Sequence, residues 1–106
     1  MIYYDDATIE IIQGDSIQRN IYIDGITPEM IKNVYFSCNK LNITKELEYD
    51  TANNCYLLYL SSTETSILRP INTNYDITIL YGSNIVTTGV YKGRLIVHEK
   101  NNKIDI

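Results

Sequence analysis

Nearly a third of this chain, 32 of its 106 residues, is Val, Ile or Thr. β-Branched side chains lose χ1 freedom in a helix and pack well on a pleated surface, so this content points to sheet. The arrangement agrees. Apolar residues recur at every second position in short runs bounded by Gly, Asn, Asp or Pro, which is the period of a strand and not of a helix. No linker rich in Pro, Gly or Ser and no internal repeat divides the chain, so one domain is expected over residues 1–97, followed by a polar tail, 98–106.

The alternation places strands over residues 7–12, 17–23, 33–39, 55–60 and 74–81. In 17–23, Ile17, Ile21 and Ile23 share a face that Arg19 interrupts. In 33–39, Val34, Phe36 and Cys38 point inward, with Tyr35 and Ser37 outward. Residues 41–49 put Leu41, Ile43, Leu47 and Tyr49 on one side. Lys45 spoils that face at its middle, which predicts a bulge or an edge position. Residues 55–60 (CYLLYL) are apolar on both faces, which suits a central strand. Residues 85–97 carry Gly89 and Gly93, and predict two strands or one strongly bent strand. Asp24-Gly25, 50–54 and Gly82-Ser83-Asn84 read as turns.

Two segments read differently. Thr27-Pro28-Glu29 allows a single helical turn, because Pro is tolerated at a first helical position. Ser61 and Glu64 have the spacing of a capping box, and Ile67-Leu68 before Arg69-Pro70 would close a helix of one or two turns near 62–68. Seven or eight short strands with one short helix predict an all-β, antiparallel, Ig-like sandwich. The strand–helix alternation of a doubly wound fold is missing.

Composition argues against several functions. The chain has thirteen acids, nine bases and a net charge of −4. Its bases are scattered and form no positive stripe, so nucleic acid is not an expected partner. No apolar run approaches the length of a membrane span. The sequence MIYYDDATIEII lacks the basic start and apolar stretch of a signal peptide, which predicts synthesis in a cytoplasm. Cys38 and Cys55 read as two buried free thiols, with a bridge between neighbouring strands as the alternative.

Little reads as chemistry. His98, the sole histidine, follows the last apolar run and reads as a surface residue. Asp5-Asp6 and Glu46/Glu48 are the nearest carboxylate pairs, and both read as solvated faces. Asp50, Asn53 and Asn54 make a weak calcium set that ordinary turn chemistry explains. No phosphate-binding loop occurs. No enzyme activity, cofactor, metal or small-molecule substrate is therefore expected.

The ten tyrosines are the remaining signal. Tyr combines a large apolar ring with a polar tip and is common at interfaces. Tyr75 and Tyr81 are in phase with Ile77 and Ile79 and read as core or core edge. Tyr35, and above all Tyr3 and Tyr4 outside the strand pattern, are the candidates for contacting a partner. An Ig-like binding module for a carbohydrate or a surface protein is one reading of such a chain.

A second reading comes from order. Ile12-Gln13-Gly14-Asp15-Ser16 is followed by an alternating strand ending at Gly25. Leu60-Ser61-Ser62 leads into Glu64-Thr65 and Ile67-Leu68. Tyr75-Asp76-Ile77, Val86-Thr87 and Gly93-Arg94-Leu95-Ile96-Val97 come next. In this order, over about residues 9–97, they resemble the N-terminal domain of the baseplate upper protein of phages infecting Gram-positive bacteria, and related tail accessory proteins. Asn74 stands where that family usually has Gly. The resemblance implies a non-enzymatic virion protein of the tail or baseplate, an adaptor acting through contacts with other virion proteins or with itself. Family members usually continue into trimerisation and attachment domains, and no host-receptor role carries over to these residues.

Overall fold

The structure is a computed structural model and describes residues 2–3, 8–23 and 28–100, with the side chains of 2, 3 and 89–92 outside the description. Tyr4, Asp5-Asp6 and the Asp24-Gly25 turn signal fall outside it. Nine strands are present among the described residues, in two sheets. One sheet contains β1 (Ile2–Tyr3), β3 (Ile17–Ile23), β7 (Cys55–Leu60) and β6 (Glu48–Asp50), in the order β1-β3-β7-β6. The other contains β2 (Thr8–Ile12), β9 (Val86–His98), β8 (Ile71–Tyr81), β4 (Ile31–Cys38) and β5 (Ile43–Glu46), in the order β2-β9-β8-β4-β5. That division, with the start of the chain contributing to both sheets, is the arrangement of an Ig-like sandwich.

Among the described residues all pairings are antiparallel except one. β2 runs parallel to β9, with Ile9 opposite Leu95 and Ile11 opposite Val97. Such a pair needs a long connection, and here nearly the whole domain supplies it. The described strand count exceeds the expected one for two reasons. A two-residue strand opens the chain, pairing Tyr3 with Tyr22. The segment 41–49, read as one strand, is two: β5 pairs with β4 and β6 pairs with β7 in the opposite sheet. The buried Leu47 makes the crossing, and its amide donates to the Val34 carbonyl at 2.8 Å.

Alternation becomes core as period two requires. Val34, Phe36 and Cys38 of β4, Tyr75, Ile77 and Ile79 of β8, and Leu58 and Leu60 of β7 are buried. The Phe36 and Tyr75 rings lie 5.3 Å apart, tilted by 34°. β9 is one strand with register shifts against Tyr75–Thr78, so the glycines bend it without dividing it. Gly93 leaves room for the Tyr75 ring, because a Cβ there would stand 2.5 Å from its Cζ. On the second face of central β7 Cys55 is buried, Leu57 half-buried and Tyr59 exposed. Cys38 and Cys55 are buried free thiols.

Candidate functional site

Between β7 and β8 the chain forms α1 (Ser62–Ser66), at the place the capping box predicts. Both reciprocal bonds are made: the Glu64 amide donates to Ser61 Oγ at 3.1 Å, and the Ser61 amide donates to Glu64 Oε1 at 3.0 Å. Five residues cannot hold a helix in water, so tertiary contacts must fix it. Thr65 supplies them. It is fully buried, and its hydroxyl accepts from the Gly14 amide at 3.0 Å and donates to the Asp15 carbonyl at 2.8 Å. Gln13 Nε2 adds a bond to the Leu68 carbonyl at 2.7 Å. The turn joining β2 to β3 is thereby fastened to the helix, with Gly14 at φ +84°, where a Cβ would be strained.

The other side of α1 is open. Between it and β5 lies a groove of about 450 Å³. Leu41, Ile43, Leu60 and Leu68 supply its apolar lining, and Ile67 stands on it 83% exposed. Three cations and one acid line it: Lys40, Lys45, Arg69 and Glu64. Lys45 Nζ donates to Glu64 Oε2 at 2.8 Å. That bond first, then the Ser61 amide and the charge of Lys45, hold the Glu64 carboxyl below its usual range against the opposing effect of burial. Arg69 Nη2 donates to the Lys40 carbonyl at 2.9 Å, which fixes the guanidinium on the rim. Asn42, at φ +55°, makes the turn that brings β5 back beside β4.

Two smaller surfaces complete the candidates. On the outer face of the four-stranded sheet, Tyr59 and Leu57 border a hollow of about 280 Å³ with Gln18, Glu46 and Glu48. At the end of the sandwich where β8 turns into β9, Ile85 and Val86 are exposed, as is Met30 of the 3-10 turn Pro28–Met30. The Gly82 amide donates to the Met30 carbonyl at 3.0 Å, joining the two loops.

Tyr3 belongs to β1, Tyr4 lies outside the described residues, and Tyr35 is half-buried in β4 opposite Glu46 and Thr78. Tyr35 does not line the groove. Sequence reasoning missed Lys40, Ile67 and Arg69. Their one signal was the pair Ile67-Leu68 at the end of a very short helix: Leu68 is buried and Ile67 is not.

Reactive groups sit apart. His98 is exposed at the end of β9 and pairs with Glu10 Oε1 at 3.2 Å. Burial first, and Asp50 second, push the Cys55 thiol up, which keeps it protonated at neutral pH. The Asp50 carboxylate accepts from the Ala52 amide and from Asn53 Nδ2, the bonds of an ordinary Asx turn. Among the described residues no three His, Cys, Asp or Glu side chains gather as metal ligands. No family model matches the chain, and no characterised protein matches it either.

Proposed function

We propose that this chain is a non-enzymatic structural protein of a phage or prophage, an adaptor or accessory module of the tail or baseplate that works through protein–protein contacts. It is made in the cytoplasm and incorporated into the virion. A fold of this kind hosts many functions, so the proposal rests on particular residues and not on the sandwich alone. The observation that carries it is that the short motifs behind the resemblance act on each other in pairs. Thr65 of the Glu-Thr element bonds to Gly14 and Asp15 of the Gly-Asp-Ser element. Gly93 of the last strand is the residue that admits the ring of Tyr75 from the Tyr-Asp-Ile strand. Motifs that depend on one another across the fold make a coherent signature, where separate short matches would not.

The surface fits the same use. An apolar groove rimmed by charge, and an apolar loop end, are features of interaction sites. An Ig-like module for a carbohydrate is the competing reading. Tyr59 beside Gln18 and Glu48 favours it, but a single ring gives a sugar one stacking surface and no row. The test is particle composition. Tail particles purified from the source culture should contain the chain by mass spectrometry, and genes flanking its own should encode tail, baseplate or holin proteins. A chain confined to the soluble fraction and encoded among metabolic genes would contradict the proposal.

A further inference from the structure

We infer that the groove between β5 and α1 receives an extended, acidic segment of a partner protein. This rests on the reading of the chain as a docking module and names the chemistry of what it docks. Charge gives the first argument. Lys45 and Glu64 neutralise each other, which leaves Lys40 and Arg69, among the described residues, as two cations on the rim with no ion pair. The chain as a whole carries −4. A local reversal of sign beside apolar surface attracts carboxylates and repels a second acidic protein that does not fit. Arg69 is already held by the Lys40 carbonyl. Its planar fork is thus oriented before binding, and a guanidinium can take a carboxylate through two parallel bonds.

Backbone gives the second argument. Among the described residues, β5 ends its sheet and is paired on one side only, with β4. The groove is lined by residues 40–45 and by no residue of β4, so it runs along the unpaired side. A segment in extended form can lie beside such an edge and alternate its side chains between the apolar floor and the charged rim. Ile67, 83% exposed, supplies an apolar contact above that floor. Edge lysines often serve to block strand addition. Here Lys45 is drawn away to Glu64, and the remaining cations select for a partner bearing carboxylates.

Fluorescence anisotropy tests this with a labelled peptide of about eight residues alternating Glu and Val, long enough to span the groove in extended form. The controls are a Lys/Val peptide of the same length and single-stranded oligo-dT. The Glu/Val peptide should bind the full chain, and binding should weaken steeply between about 0.05 and 0.5 M salt. Lys40→Glu combined with Arg69→Glu should weaken it roughly tenfold or more, and Ile67→Ser several-fold. These side chains are exposed, so the variants should keep the wild-type circular dichroism and melting temperature. Tyr59→Ala should bind as wild type. Equal binding of the Lys/Val peptide or the oligonucleotide would overturn the inference, as would unchanged affinity in the charge-reversed variant. A chain present in tail particles that ignores the acidic peptide removes the groove assignment and leaves the adaptor reading standing. Binding at the groove by a chain absent from particles does the reverse.

Discussion

The two sides of α1 are held by different kinds of interaction. On one side Thr65 is buried and shares its hydroxyl between the Gly14 amide and the Asp15 carbonyl. On the other, Glu64 meets Lys45 with both side chains more than a third exposed or close to it, and Ile67 faces water. Bonds of the first kind are costly to break, because Thr65 is buried and the half-buried partners it leaves behind lose a bond that water replaces only in part. Exposed ion pairs of the second kind contribute less than about 1 kcal/mol. The helix is fixed from the closed flank, which leaves the open flank free to change its contacts when a partner arrives.

Substitutions can break that contrast. The largest effect is expected in the core between the sheets, and the next in the closed flank. Gly93→Ala places a methyl against the Tyr75 ring, which is itself buried against Phe36. It should cost about 3 kcal/mol in chemical denaturation, the upper range for overpacking a core. Thr65→Val keeps the shape and removes the hydroxyl, orphaning the Gly14 amide and the Asp15 carbonyl. A loss of about 2 kcal/mol is expected, and a neutral result would show that the turn is not fastened through Thr65. Gly14→Ala meets no neighbouring atom within 4 Å, so its cost is conformational alone, about 1 kcal/mol.

The open flank should respond weakly. Glu64 has its carboxyl held low, so its contribution is full above the ordinary value of 4.5 and is lost as pH falls through the depressed folded value. Wild type should therefore lose slightly more melting temperature than Glu64→Gln between neutral pH and pH about 3, by an amount corresponding to less than about 1 kcal/mol. Ile67→Ser should leave stability within about 0.5 kcal/mol of wild type. A large loss on Ile67→Ser would mean that Ile67 packs in solution and that the groove is closed.

Much of the fold was readable because its determinants are local. Alternation placed Val34, Phe36 and Cys38 inside, and the spacing of Ser61 and Glu64 fixed the start of α1. What escaped depends on long-range partners. Lys45 is legible as a break in an apolar face, but nothing nearby in sequence says that Glu64 receives it. Thr65 looks like any polar helix residue, yet its partner amide lies 51 positions away. Gly93 announces a departure in a strand without saying that Tyr75 requires it. The passage of 41–49 between sheets was hidden for a related reason. Leu47 continues the period of Leu41 and Ile43, so periodicity alone reads one strand where the backbone changes partners at that residue. The tyrosines misled attention from the groove, since its exposed members are Lys40, Asn42, Thr44, Ile67 and Arg69, and none is aromatic.

The asymmetry between the two flanks can be read in one titration. Amide shifts of the ¹⁵N-labelled chain should be followed as the Glu/Val peptide is added. Shifts are expected at residues 40–45, 64 and 67–69, while the amides of Gly14 and Thr65 stay in place. Shifts centred on Tyr59 and Gln18, or on Met30 and Ile85, would move the docking surface elsewhere. Movement of Gly14 and Thr65 together with the groove would contradict the claim that one side of α1 is fixed while the other is free to bind.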